Sequence, residues 1–282
     1  MQKKVSNIIC FTLLSVVILV ALGCANQATK EDASKTNTLK EIKKRKKIIV
    51  ATEATFAPYE FVQDGKIVGY GSDILAEIVK NLDVELEQHD MEFKGILPAL
   101  NEKKVDFVAT AIVATPERQE KYSLTTPIGI SEFVYVKKTG NNGLTSRTQL
   151  PGKKIGCITG GSLEKRLTKY NEELVKEGKE PFEMVSFTST PEIFLALKNG
   201  QIDTALFNRT VTVETMKKNP DTYEIYDIFS DKKDYITWIM RKEDKELLEF
   251  INAEIIKLKK SGKLTELQEK WFGYTFDLPD EV

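Results

Sequence analysis

Hydrophobic positions follow two alternating periods from residue 40 onward. Residues 47–52 form a short apolar, β-branched run, which predicts a buried strand. Residues 71–82 place apolar side chains three and four positions apart, which predicts an amphipathic helix. The alternation continues through predicted strands near 84–88, 105–113, 153–158, 182–187 and 202–207 and predicted helices near 94–103, from 162 and near 191–199. Such alternation predicts an α/β fold with mainly parallel sheets flanked by helices.

An internal repeat divides this pattern into two units. Residues 96–109 and 193–206 share Ala-Leu and, five residues later, Val or Ile followed by Asp. Each copy predicts a helix that leads into a strand, and an extended stretch at 129–138 separates the copies. Two similar units predict two lobes rather than one sheet. Because ligands bind beyond the carboxyl ends of such strands, we expect Ala111 and Asn208, the predicted strand ends, to line opposite walls of one cleft.

The N-terminal residues form a separate segment. A basic start precedes an apolar run at 8–23, which is shorter than the about 20 residues of a membrane span. Residues 1–23 are therefore predicted to be a secretory signal peptide. The ending "ALGC" resembles a bacterial lipobox, which predicts lipid on Cys24 and a flexible polar tether over 24–39. Lipid would hold the protein on the extracytoplasmic side of the membrane without crossing it.

Composition and charge narrow the function further. Lys and Arg number 41 against 42 Asp and Glu, a net charge of -1 that argues against nucleic-acid binding. His89 is the single histidine, and Cys157 is the one cysteine beyond residue 24, so we expect no metal site, no cofactor and no intrachain disulfide. The basic run at 41–47 has two interpretations, contact with anionic lipid or a solvated helix or linker.

Six sequence stretches resemble one protein family. They are "IIVATEATFAPYEF", "GYGSDILAEI", "FKGILPAL", "VDFVATAIVATPERQEKYSLTTP", "GKKIGCITGGS" and "SGKLTELQEKWFG". In this order they are similar to the extracytoplasmic solute-binding proteins of amino-acid ABC transporters, solute-binding family 3, from about residue 40 to 275.

The resemblance implies a fold and a mode of action. The fold is the two-lobed periplasmic-binding-protein type II fold. Lobe 1 would comprise 40–128 and 238–282, lobe 2 would comprise 133–233, and hinge strands would lie at 129–132 and 234–237. The lobes would close on the ligand about the hinge. The protein is then expected to act as a monomer that delivers its ligand to an ABC permease and its ATPase.

The family's carboxylate-binding residues have counterparts here. Arg118 matches the arginine that forks onto the ligand carboxylate, a geometry that suits guanidinium. Gly161 and Ser162 open a lobe-2 helix and would meet the same carboxylate from the other side. The alternatives are a surface arginine at 118 and a plain helix N-cap at Ser162.

The body of the ligand would lie against aromatic rings. Phe56 and Phe93 match the family positions that enclose the ligand, although either alone also suits a core. Glu53 matches a position that faces the ligand side chain, where a carboxylate favours a donor or a positive charge. A solvated glutamate is the alternative interpretation of Glu53.

The sequence departs from the family where the ligand ammonium is bound. The backbone carbonyl of Ala111 remains, but Val113 replaces a hydroxyl and Asn208 replaces an aspartate. These changes remove the negative partner that a buried ammonium needs. Either the ligand keeps its carboxylate but carries a substituted or displaced nitrogen, or Glu53 or a water replaces the lost acceptors. Gly71 also departs from the family's usual Asp, outside the predicted clamp.

Two functions remain open from the sequence. The favoured one is a lipid-anchored binding protein for a small carboxylate-bearing ligand, an amino acid or an analogue, with no catalytic residues. The alternative is an enzyme on the same scaffold, such as a cyclohexadienyl dehydratase, with Glu164 as general acid. A lipid tether favours the binding protein, because it raises the local concentration near a permease.

Overall fold

The computed structural model describes residues 37–229 and 233–281. The predicted signal peptide, Cys24 and most of the predicted tether lie outside the described residues. Among the helices that are described, none combines the length and the apolar character that a membrane crossing requires.

One sheet contains strands from both ends of the described chain. Its strand order is β5-β1-β6-β14-β7, and β8 also pairs with β14. The strands are β1 (Lys47–Thr52), β5 (Glu85–Asp90), β6 (Phe107–Val113), β7 (Ser123–Leu124), β8 (Gly129–Ser131) and β14 (Asp234–Met240). The helices of this half are α1 (Thr38–Arg45), α2 (Tyr70–Leu82), α3 (Phe93–Asn101), α4 (Pro116–Lys121), α8 (Lys245–Lys260) and α9 (Lys263–Phe272). We call this half lobe 1.

A small antiparallel sheet belongs to the same half. It consists of β2 (Thr55–Phe56), β3 (Glu60–Gln63) and β4 (Lys66–Val68). These strands have two to four residues and no clear alternation, so hydrophobic periodicity does not predict them.

The second sheet has the order β11-β10-β12-β9-β13. Its strands are β9 (Phe133–Lys138), β10 (Lys154–Ile158), β11 (Glu183–Phe187), β12 (Thr204–Asn208) and β13 (Tyr223–Ile228). The helices of this half are α5 (Ser162–Lys176), α6 (Thr190–Lys198) and α7 (Arg209–Lys218), with a short 3-10 helix at Arg147–Gln149. We call this half lobe 2.

The two sheets have equivalent arrangements. Three strands are parallel in each, β5-β1-β6 in lobe 1 and β11-β10-β12 in lobe 2. An antiparallel strand follows in each, β14 beside β6 and β9 beside β12. The chain passes to lobe 2 between β8 and β9 and returns between β13 and β14. The two-lobed α/β fold is therefore confirmed, while the residue boundaries predicted for lobes and hinge stay a prediction.

The internal repeat has a structural cause. In both copies the repeated aspartate precedes the strand, and its Oδ2 accepts the backbone N–H of the neighbouring parallel strand. Asp106 accepts from Ile49 N at 2.7 Å, and Asp203 accepts from Lys154 N at 2.8 Å. Each aspartate thus fixes two strands in register. The strand predicted near 105–113 does end at Val113, where β6 is still paired with β14, so Ala111 lies two residues before the strand end at which it was placed.

Helix α7 contradicts the local sequence preference. Its first residues, "RTVTV", are rich in β-branched side chains that favour strands. The helix forms because Asn208 caps it, with its Oδ1 accepting from Val211 N at 3.1 Å. Asn37 caps α1 in the same way, so the helix begins inside the stretch predicted as a tether, at Thr38.

The basic run at 41–47 is held by acidic partners. The ion pairs are Arg45 with Asp106, Lys46 with Asp83, and Lys47 with Glu85 and Glu87. Ile42 packs into the core from the same helix. These contacts favour the solvated-helix interpretation over contact with anionic lipid.

Candidate functional site

A cavity between the two lobes brings the sequence-predicted residues together. Lobe 1 contributes Glu53, Phe56, Phe93, Ala111, Val113 and Arg118, and lobe 2 contributes Gly161, Ser162 and Asn208. Sequence reasoning missed six further lining residues: Ser131, Phe133, Ile158, Leu163, Phe207 and Ile236. Most of these are apolar strand or crossover residues, which look like ordinary core in a sequence. Ala111 and Asn208 line the same cavity, as expected if the lobes face each other.

Arg118 is the buried cation of the cavity. Helix α4 begins after Thr115, whose hydroxyl accepts from Arg118 N at 3.3 Å, and the side chain is 9% exposed. Its Nη1 donates to the Val113 carbonyl at 2.8 Å, and its Nη2 donates to the Gly160 carbonyl of lobe 2 at 3.5 Å. Burial lowers the pKa of the guanidinium to about 10, so Arg118 stays charged at neutral pH.

Arg118 forms no ion pair in the described part of the chain; the neighbouring Glu117 acts to raise its pKa but is exposed and pairs with Lys121 and Lys165. The hydrogen bonds of Arg118 go to backbone carbonyls, and the Phe93 ring lies 5.6 Å from its Cζ. A buried charge without a counter-ion is costly, because carbonyl dipoles replace only part of its hydration. The site can therefore accept an anion, and the planar fork suits a carboxylate. The surface interpretation of Arg118 is wrong.

The lobe-2 side of this anion site is held by Glu164. Its Oε2 accepts from Gly160 N at 2.8 Å, and its Oε1 accepts from the Ser186 hydroxyl at 3.0 Å. Glu164 does not line the cavity. It fixes the turn that presents the Gly160 carbonyl to Arg118. The geometry thus gives Glu164 a structural role and does not support its use as a general acid.

Aromatic rings form the walls between the two ends. Phe56 lies 5.8 Å from Phe207 across the interlobe boundary, measured between ring centroids. Phe93 packs beside the Arg118 guanidinium, and Phe133 also lines the cavity. These rings suit an apolar or planar body.

The wall at Asn208 offers a hydrogen-bond donor. Asn208 is 2% exposed, its Oδ1 accepts from Val211 N, and its Nδ2 donates to the Ser131 hydroxyl at 2.7 Å. The amide orientation is fixed, because the Val211 N–H needs an acceptor. Asn208 therefore cannot turn its oxygen to a ligand ammonium while it caps α7. Val113 adds only an apolar side chain.

Two buried acids lie at the other end of the cavity region. Glu53 lines the cavity and is 5% exposed, and burial raises its pKa to about 7. Glu60, on β3, is fully buried behind the wall, and burial raises its pKa to about 8. The alternative of a solvated Glu53 is wrong. Sequence reasoning missed Glu60, although the departure at Gly71 was a signal: a Cβ there would lie 1.9 Å from Glu60 Oε1.

The described residues contain no group of three or more His, Cys, Asp and Glu side chains that could hold a metal ion. His89 lies at the edge of the lobe-1 sheet, with its Nε2 2.6 Å from Glu87 Oε1. Cys157 is buried in lobe 2, where burial raises the pKa of its thiol to about 11.

Two α/β lobes enclose a cavity whose wall contains the buried Arg118, an arrangement that suits the capture of a small solute. The chain belongs to the bacterial extracellular solute-binding proteins, family 3, whose family model matches residues 48–274.

Known relatives have the same architecture. The chain is 30% identical to the L-cystine-binding protein TcyJ of Escherichia coli (strain K12) over 260 residues, which cover 91% of this chain and 93% of the relative. The amino-acid ABC transporter substrate-binding protein AbpA of Streptococcus pneumoniae, solved with L-arginine, superposes with a TM-score of 0.71 at 30% identity, covering 83% of this chain and 98% of that one.

A third structure bears on the enzyme alternative. It is the ancestral amino-acid-binding protein AncCDT-1, a precursor of cyclohexadienyl dehydratase. Its TM-score is 0.71 at 26% identity, and the match covers 84% of this chain and 99% of that one. The relatives are named as substrate-binding proteins, and the chain is a binding protein rather than an enzyme.

The two buried acids predict an unusual pH dependence of stability. An unfolded glutamate titrates near pH 4.3, so between about pH 4.3 and 8 the folded protein holds protons that the unfolded chain has lost. The free energy of unfolding should therefore lose the contribution of these two groups as pH rises through this window. Glu60→Gln removes the titration of Glu60, so the free energy of unfolding of E60Q relative to that of wild type should rise by roughly 3 to 4 kcal/mol from pH 5 to pH 8.

Urea unfolding of wild type, E60Q and the exposed-site control E92Q at both pH values measures this difference. Glu92 is exposed and paired with Lys94, so E92Q should follow the wild-type curve. Parallel curves for wild type and E60Q would contradict the raised pKa of Glu60.

Proposed function

We propose that this protein captures a small carboxylate-bearing ligand, an amino acid or an analogue, between its lobes and delivers it to an ABC importer. The observation that carries the proposal is Arg118, a buried cation in the cavity wall that forms no ion pair among the described residues and donates only to backbone carbonyls. A ligand carboxylate supplies the missing charge, and Gly161 and Ser162 approach it from lobe 2.

The rest of the cavity suggests the shape of the ligand. The carboxylate lies at Arg118, an apolar or planar body lies between the phenyl rings, and a positive or N–H-bearing group points to Glu53. Glu53 thereby replaces the acceptors lost at Val113 and Asn208. L-arginine, which AbpA binds, has both a carboxylate and a distal cation, and it is the first ligand to test.

Capture requires the lobes to move about the crossovers. Contacts between lobes support a closed form: Lys165 on α5 pairs with Glu117 on α4, and Arg118 reaches the Gly160 carbonyl. We propose that residues 129–132 and 234–237, which include β8 and the start of β14, act as the hinge, with 40–128 and 238–282 moving as one body and 133–233 as the other. Closure would then bring the two halves of the anion site together.

Substitution of the arginine tests the binding proposal. Arg118→Lys keeps the charge but loses the two-pronged geometry, so the affinity for a carboxylated ligand should fall about 100-fold. A thermal-shift screen of the twenty amino acids and their analogues, followed by calorimetry on the best ligand, measures the loss. Arg147→Lys, at an exposed lobe-2 arginine, is the matched control. Equal affinity of R118K and wild type would overturn the anion site.

The lipid anchor is tested separately. We propose that signal cleavage before Cys24 leaves this cysteine to carry lipid and hold the protein beside its permease. Cys24→Ser should move the protein from the membrane fraction to the soluble fraction without changing ligand affinity. Fractionation and immunoblotting measure the location of the protein. Retention of C24S in the membrane fraction would contradict the lipid anchor.

A further inference from the structure

We propose that Glu53 and Glu60 form a buried acid pair, and that capture of a ligand's cationic group expels a proton from Glu53. This inference rests on the proposed function, because it concerns the same cavity. It makes capture by this protein dependent on pH near neutrality.

Glu53 presents a free carboxyl oxygen at the cavity. Its Oε1 accepts from the Thr55 hydroxyl at 3.0 Å, and its Oε2 has no hydrogen-bond partner among the described residues. The side chain is more than nine-tenths buried and lines the cavity. An unpartnered carboxyl oxygen of a largely buried side chain at a cavity can accept from a donor that the ligand provides.

Glu60 lies directly behind this wall. Its Oε2 accepts from Ala111 N at 3.1 Å and faces the Thr110 hydroxyl at 3.4 Å. The same hydroxyl accepts from Glu53 N at 3.2 Å, so Thr110 connects the two acids. Glu60 Oε1 is fully buried and has no hydrogen-bond partner in residues 37–229 and 233–281.

The absence of a side chain at residue 71 creates this position. A Cβ on Gly71 would lie 1.9 Å from Glu60 Oε1 and 3.0 Å from its Cδ. A Cβ atom does not approach another heavy atom this closely. The Glu60 carboxyl therefore occupies the space that the Cβ of any other residue at position 71 would fill. The glycine and the buried acid therefore depend on each other.

The surrounding charges do not neutralise the pair. Asp90 faces Glu53 from the end of β5 and adds negative charge, and Tyr59 lies beside Glu60. Neither Glu53 nor Glu60 forms an ion pair with a Lys or Arg of the described chain, and the charged cavity residue at the other end, Arg118, is engaged by backbone carbonyls. Two carboxylates in such surroundings cannot both ionise without a cation.

The proton balance follows from this arrangement. Before capture at mildly acidic pH, both acids are protonated. When a ligand cation arrives, the O–H bond of Glu53 breaks, the proton passes to solvent, and the carboxylate pairs with the cation. Glu60 keeps its own proton, because it is fully buried and now lies beside an ionised neighbour. The pKa of Glu53, about 7, places the exchange near neutral pH.

Calorimetry with L-arginine as the probe tests the exchange. Titrations in pairs of buffers that differ in ionisation enthalpy, Mes and Bis-Tris at pH 6 and Tricine and Tris at pH 8.5, count the protons released on binding. We expect about one proton at pH 6 and close to none at pH 8.5, with an affinity about tenfold weaker at pH 6 than at pH 8. Glu53→Gln should abolish the release, whereas Glu60→Gln, a neutral mimic of the protonated acid, should retain it. E92Q is the exposed control.

A ligand-free measurement tests the pair independently. Carboxyl NMR of protein labelled with ¹³C-glutamate should show two groups that titrate above pH 6, one lost in E53Q and the other in E60Q. Arginine binding without proton release, or release that survives in E53Q, would overturn the proton exchange at Glu53 and leave the proposed function intact. Failure of arginine to bind would overturn the proposed ligand class and its coupling, and NMR midpoints near pH 4 would overturn the pair itself.

Discussion

The burial of one positive charge dominates the organisation of this protein. Arg118 is withdrawn from water at the interlobe boundary, and its guanidinium contacts two backbone carbonyls, one from each lobe. Neither carbonyl carries a full charge, so the site remains electrostatically incomplete until an anion enters. The turn held by Glu164 and the helix that opens at Ser162 complete the site only when the lobes are together. Under the proposed function, the charge on Arg118 couples ligand binding to lobe closure.

The end of the cavity opposite Arg118 contains buried acids instead of a buried cation. Asn208 serves as a helix cap and a partner of Ser131, which leaves it no acceptor for a ligand ammonium. We infer that Glu53 supplies the acceptor from lobe 1, and burial raises the pKa of Glu60 behind it. Under the proposed function, the group that binds the ligand's positive charge therefore lies in lobe 1 rather than in lobe 2. A pocket with this distribution of charge favours a ligand whose positive group is remote from its carboxylate.

Much of the fold and of the cavity can be predicted from the sequence, for identifiable reasons. The hydrophobic pattern predicts the buried strand at 47–52 and the amphipathic helix at 71–82. The repeated aspartates indicate equivalent strands in the two lobes. The nine predicted site residues line one cavity, and most of them were predicted from the resemblance of their motifs to the family's, with only Ala111 and Asn208 also predicted from strand ends. Helix α7 and Glu60 escaped prediction. In α7, the cap formed by Asn208 overrides the strand propensity of the first residues. The burial of Glu60 depends on its packing against Gly71, a tertiary contact that hydrophobic periodicity does not report.

We propose above that Arg118 binds the carboxylate of the ligand. The most direct test compares the affinities of wild-type protein for the amino acid that stabilises it most and for the carboxamide of the same amino acid. The two ligands differ only at the group that Arg118 would bind. The amide leaves the buried charge unpaired, so its affinity should be lower by about 100-fold or more. Equal affinities for the acid and the amide would contradict the account.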